Sequence, residues 1–218
     1  MSWNNTEAIP LGRDCSISHF LRSRSLRNCA YPFDWNITPL SSAVRLLDNS
    51  FDDYLSAKNL VYLKPVQRLL FDEDDTALKM SDDIITPVVC QRYKMLFPHD
   101  FSAKGKEDYE RVHLKYLGRC ARLLKLIESS GPVSFIYSME PLNAWQTEQY
   151  SLAGVECPET SAQDIEDLEA MLRHKYPRLR FQILTIKELK ATLRPPSAFA
   201  RWMNGILRRT GKTSSRPQ

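Results

Sequence analysis

Cys15 is the residue of this chain whose surroundings best suit a nucleophile. It follows an apolar run, Ala8-Ile9-Pro10-Leu11, and a short turn, Gly12-Arg13-Asp14. Asp14 can cap a helix there, because its side chain can accept the free N–H groups of a first turn. Ile17, Phe20 and Leu21 then share one face, which predicts a helix from about Ser16. A thiol in that first turn feels the positive end of the helix dipole, which favours thiolate. Gly12 lets the backbone turn sharply and a substrate come close, and N–H groups at the helix start can hold an oxyanion. The competing reading is a small core residue, since free cysteine is among the most buried types. His19 lies one turn further on and would share a face with Cys15. It can serve as a base, but substrate would have to enter between two residues only a turn apart.

Further motifs extend the pattern: Leu21-Arg22 and Leu26-Arg27, the block Tyr31-Pro32-Phe33-Asp34-Trp35, and Phe97-Pro98-His99-Asp100-Phe101. Together with Leu-Gly-x-x-Cys they make the chain resemble a bacterial family of uncharacterised proteins labelled papain-like cysteine peptidases, over roughly residues 8 to 185. The resemblance implies a nucleophile at Cys15 and a base at His99. The imidazole would take the thiol proton and later protonate a leaving group. Asp100, adjacent in sequence, points away from His99 in an extended segment. Asp34 is the better candidate to orient the histidine, because a buried carboxylate needs a partner. Its alternative is a structural salt bridge to Arg13, Arg22 or Arg27. Gly12, Arg13, Arg22, Arg27, Trp35 and Asp100 are the expected substrate contacts, the arginines through bidentate grip of a carboxylate or phosphate.

These residues need a scaffold, and 218 residues suffice for one with a real core. The hydrophobic fraction of 43% and charged fraction of 26% are those of an ordinary globular protein. No apolar run is long enough to span a membrane, and the N-terminus lacks the basic start and apolar stretch of a secretory signal. Five cysteines without Cys-x-x-Cys spacing argue for reduced thiols, hence a cytoplasmic protein, and against a disulfide framework or zinc site. No P-loop or dinucleotide-binding glycine pattern occurs, so neither cofactor nor metal is expected. The net charge of +4 belongs to the tail. Seven basic residues and no acid lie from Lys190 onward, leaving 23 basic against 26 acidic residues in the body.

Along the chain, Thr38 as cap and Pro39 at the first position predict a helix carrying Leu40, Val44 and Leu47. A short helical turn is expected at 51–55, and edge strands between Leu60 and Phe71, interrupted by Pro65. The acidic run Asp72-Glu73-Asp74-Asp75 reads as a solvated loop. Residues 84–89 are apolar and β-branched, but Pro87 interrupts any central strand there; a helix is expected from Val88 or Cys90 to Leu96, with 50–105 an irregular region. Residues 107–128 form the clearest amphipathic helix, with Val112, Tyr116, Leu117, Cys120 and Leu123 on one face and Lys115, Arg119 and Arg122 on the other. A buried strand at 133–138, a capping box at Thr160 and Gln163, a helix to Tyr176 and a strand at 179–186 complete a β-α-β pattern.

That pattern predicts a layered α/β domain with a parallel sheet over 1–190, and a papain-like α+β arrangement is the alternative. Residues 191–218 are expected to form a basic amphipathic helix, with Phe199, Trp202, Met203, Ile206 and Leu207 on one face, and a disordered tail. The helix can dock on the core, on a protein partner or on an anionic membrane; nucleic-acid binding is not expected. The functional expectation is a thiol-dependent hydrolase of a peptide or amide bond. Acyl transfer to a surface-polysaccharide precursor and a non-catalytic interaction module are the alternatives.

Overall fold

The parallel sheet expected from the β-α-β pattern is the centre of the computed structural model, which describes residues 6–13, 15–71 and 77–193, with the side chains of 69–71 and 77–81 excepted. The sheet has strand order β1 (Glu7–Pro10), β7 (Pro132–Tyr137), β8 (Arg180–Thr185), with both pairings parallel. Four of the six residues of β7 carry apolar side chains, and all but Pro132 are buried. A strand covered on both faces reads as such a run.

Helices cover the sheet. They are α1 (Cys15–Ser23), α2 (Leu40–Asp48), α3 (Tyr109–Glu128), α4 (Ala144–Leu152) and α5 (Ala162–Lys175). One core joins Ile9, Val133 and Phe135 of the sheet to Leu46 and Leu47 of α2, Val112, Tyr116 and Leu123 of α3, and Leu168 and Leu172 of α5. Full burial of one such leucine contributes about 2 kcal/mol, so the apolar stripe of α3 secures its place. Helix α6 follows at Ile186–Leu193, and the chain divides into a unit ending at Ile186 and another beginning at Lys187.

The region 50–105, expected to be irregular, holds two antiparallel sheets. One comprises β2 (Leu60–Tyr62), β5 (Val88–Cys90) and β6 (Met95–Phe97); the other pairs β3 (Val66–Phe71) with β4 (Ala77–Ile85). The helix expected between Val88 and Leu96 is instead the β5–β6 hairpin, in register Val88↔Phe97, Val89↔Leu96 and Cys90↔Met95. A short apolar run serves helix or strand equally well. Pairing with β2 decides it, and Lys94, at φ 45°, turns the chain.

Other expectations shift. The turn at 51–55 is not helical: Phe51, Asp53 and Leu55 all have positive φ. Pro39, not Thr38, occupies the cap of α2; the Thr38 hydroxyl donates instead to Asn36 Oδ1 at 2.7 Å. The capping box of α5 is Ser161 with Asp164. The connection after β7 contains α4, opened by a second box, Asn143 with Gln146. Arg119 is buried and Leu117 is 46% exposed, so the stripe of α3 is rotated from the expected one. The Asp14 cap, the acidic run at 72–75 and the helix at 199–207 lie outside the described residues.

Candidate active site

Cys15 is the first residue of α1 and is half-buried. It follows two left-handed residues, Gly12 at φ 85° and Arg13 at φ 82°. Only glycine fits at position 12, since a Cβ there would lie 2.5 Å from Thr38 Cβ. Arg13, 7% exposed, holds its unusual conformation by long-range bonds. Its Nε donates to the Glu140 carbonyl at 2.7 Å and its guanidinium to the Pro158 carbonyl at 3.1 Å. The residue expected to touch substrate thus ties the α1 turn to the connection around α4.

Residues 36–38 anchor the turn and β6 together. Ile37 exchanges hydrogen bonds with Leu96 at 2.8 and 3.0 Å, while Arg13 N–H donates to the Thr38 carbonyl at 3.2 Å. Successive residues of an extended segment present their backbone groups to opposite edges. The turn leading to Cys15 and the strand leading to His99 are therefore attached to the two edges of one short ribbon.

His99 lies just beyond β6, and its Nδ1 is buried with no hydrogen-bond partner among the described residues. Burial pushes its pKa down to about 4; the Arg68 charge adds to this, and Asp100 with the Pro98 backbone opposes it. The ring is neutral at pH 7. The Asp100 carboxylate is engaged elsewhere, paired with Lys115 and accepting from the Tyr116 hydroxyl at 2.7 Å. Tyr116 in turn accepts from Asn36 Nδ2 at 3.4 Å. A buried chain Thr38–Asn36–Tyr116–Asp100 thus runs from the ribbon to the residue beside His99.

Asp34 is fully buried and pairs with Arg27 at 2.6 Å. Its Oδ2 also accepts from Tyr31 N–H at 2.6 Å, and its carbonyl accepts from Arg119 at 3.1 Å. Burial raises its pKa, against the lowering effects of Arg27, the Tyr31 N–H, Ser18 and Arg119. These bonds close the Tyr31–Trp35 corner, as in the salt-bridge alternative.

His19 is exposed on α1, its ring edge-on to Trp35 at 6.5 Å. Trp35, at φ 67°, donates its N–H to Ser18 Oγ at 3.3 Å, and Arg27 lies over its ring at 6.0 Å. Arg22, Arg27, Asn28, Cys29, Ala30 and Trp35 line a pocket of ≈ 250 Å³ beside the end of α1. Sequence reasoning missed Ser18, Asn36, Tyr116 and Arg119. Ser18 was within reach as the residue one turn past Cys15; the others join the site only through tertiary contacts.

The fold and these residues define a layered α/β protein with a thiol at a helix start and a histidine at a strand end. The chain belongs to the family described as "putative papain-like cysteine peptidase", which it matches over residues 6–190. No curated protein and no solved structure matches it.

Proposed function

We propose that the protein is a thiol-dependent hydrolase of peptide or amide bonds, with Cys15 as nucleophile and His99 as general base. The observation that carries this reading is the thiol opening α1 two residues after the left-handed Arg13, at the positive end of the helix dipole. The family match is in keeping with it.

In the proposed sequence the neutral His99 ring removes the Cys15 proton, and the sulfur attacks the carbonyl carbon. The imidazolium then protonates the leaving amine as the C–N bond breaks, giving a thioester. Water, losing a proton to the same ring, hydrolyses the thioester and restores the thiol. A buried Nδ1 without a partner among the described residues suits a group reserved for this exchange. Asp34 acts as a positioning residue, holding Arg27 and the corner that carries Trp35. The pocket with Arg22, Arg27 and Trp35 would take an acidic or aromatic part of the substrate.

The test is the pH dependence of iodoacetamide labelling at Cys15, followed by peptide mass mapping, in wild type, His99→Ala and His19→Ala. Activated Cys15 labels well below the ordinary thiol pKa of about 8.5. Loss of that reactivity in His99→Ala alone supports the assignment; loss in His19→Ala alone moves the base to His19. An inert or ordinary thiol in all three proteins removes the hydrolase reading.

A further inference from the structure

A second cavity, of ≈ 510 Å³, lies between the start of α2 and residues 156–159, and its Pro158 carbonyl accepts from Arg13 of the turn before Cys15. Its α2 wall consists of hydrogen-bond donors lacking acceptors. No side chain caps the helix, and the Leu40 and Ser41 N–H groups have no backbone partner among the described residues. Ser42, 4% exposed, lines the cavity, and no hydrogen bond engages its hydroxyl among the described residues. The Ser42 hydroxyl is not among the fully enclosed polar atoms left without a partner, so it opens onto the cavity, where a ligand could reach it.

Arg45, a turn further along α2, lies over the Tyr93 ring at 5.2 Å and meets no carboxylate among the described residues. Arg92 and Lys94 face the same space, each already balanced, by Asp53 at 2.6 Å and Glu156 at 2.7 Å. Glu159 is the remaining acid of the lining. The unbalanced groups of the residues lining the α2 wall are thus the Ser41 N–H, the Ser42 hydroxyl and the Arg45 guanidinium.

We infer that this cavity binds a phosphate group at the start of α2, held by Ser42, Arg45 and the first N–H groups of the helix. Donors converging on the positive end of a helix suit a tetrahedral, doubly charged anion. A carboxylate has two oxygens to a phosphate's four and would satisfy fewer of these donors; Glu159, the remaining acid of the lining, opposes either anion. The site does not depend on the role of Cys15.

Isothermal titration of the full chain with inorganic phosphate, at fixed ionic strength, tests the inference. One saturable site is expected, weakened about tenfold by Arg45→Gln and several-fold by Ser42→Ala, but unaffected by Arg24→Gln at the exposed turn after α1. Phenyl phosphate distinguishes the source. Binding tighter than that of inorganic phosphate marks a phosphate ester as ligand; the reverse marks the free ion, and either supports the site. Weak binding that responds equally to all three substitutions indicates an adventitious ion only and overturns the inference. So does the absence of saturation, or acetate binding as tightly as phosphate. Arg45 is exposed, so its replacement leaves the fold intact.

Discussion

The Arg27 guanidinium lies 2.6 Å from the Asp34 carboxylate, with side chains 6% and 0% exposed. The pair joins the segment after α1 to the Tyr31–Trp35 corner. Its charges are desolvated, so breaking it costs more than its net contribution to stability. Arg27→Met strands a buried carboxylate and is expected to lower stability by about 3–5 kcal/mol. Asp34→Asn keeps an oxygen for Tyr31 N–H and is expected to cost less. Urea midpoints of the two variants check the order; the reverse order would assign Asp34 a larger role than holding Arg27.

The His99 ring makes stability depend on pH. Its folded pKa of about 4 lies below its ordinary value of 6.5. Between these values the unfolded chain binds more protons, so stability rises with pH through that window. The contribution is complete above pH 6.5 and lost as pH falls towards 4, with a span of about 3 kcal/mol. Unfolding of wild type and His99→Gln at pH 4.5 and 7 should show a steeper rise of stability with pH in wild type; equal slopes would refute it.

The Gly12 turn tolerates no side chain. Gly12→Ala meets Thr38 Cβ at 2.5 Å and adopts φ 85°. A loss of at least about 2 kcal/mol is expected, from strain and the clash together. Thr38→Gly in the same chain removes the side-chain part of the clash but neither the contact with the residue-38 nitrogen at 2.9 Å nor the strain, so partial recovery of the melting temperature is predicted. Full recovery would show that strain at position 12 is negligible.

Arg13 anchors the connection around α4 to the α1 turn. Arg13→Ala removes donors from the Glu140 and Pro158 carbonyls. Faster amide exchange and proteolysis are expected at residues 139–160, with β7 unaffected. Uniform loosening of the whole domain would instead mark Arg13 as a general core contact.

Much of the fold is legible from local pattern. The period of α3 and α5, the apolar runs of β7 and β8 and the breakers Gly131, Pro132 and Pro177 give a β-α-β unit and so a parallel sheet. At the candidate site, the turn before Cys15 and the start of α1 are likewise local features, written in Leu11-Gly12 and the spacing of Ile17, Phe20 and Leu21. Within 50–105 the two strands flanking Pro65, Leu60–Tyr62 and Val66–Phe71, were legible, but the β5–β6 hairpin was not, because Val88–Cys90 and Met95–Phe97 are too short to reveal a period.

The sequence by itself determined the elements whose hydrogen bonds are local: the main helices, their breakers and the turn carrying Cys15. Only the tertiary structure decided which partners the buried polar groups find. It gave Asp34 to Arg27, Asp100 to Lys115 and Tyr116, and Arg13 to two distant carbonyls. It also joined the Cys15 turn and the His99 strand to residues 36–38. Such choices depend on desolvation and on contacts between residues far apart in the chain, which no local spacing encodes.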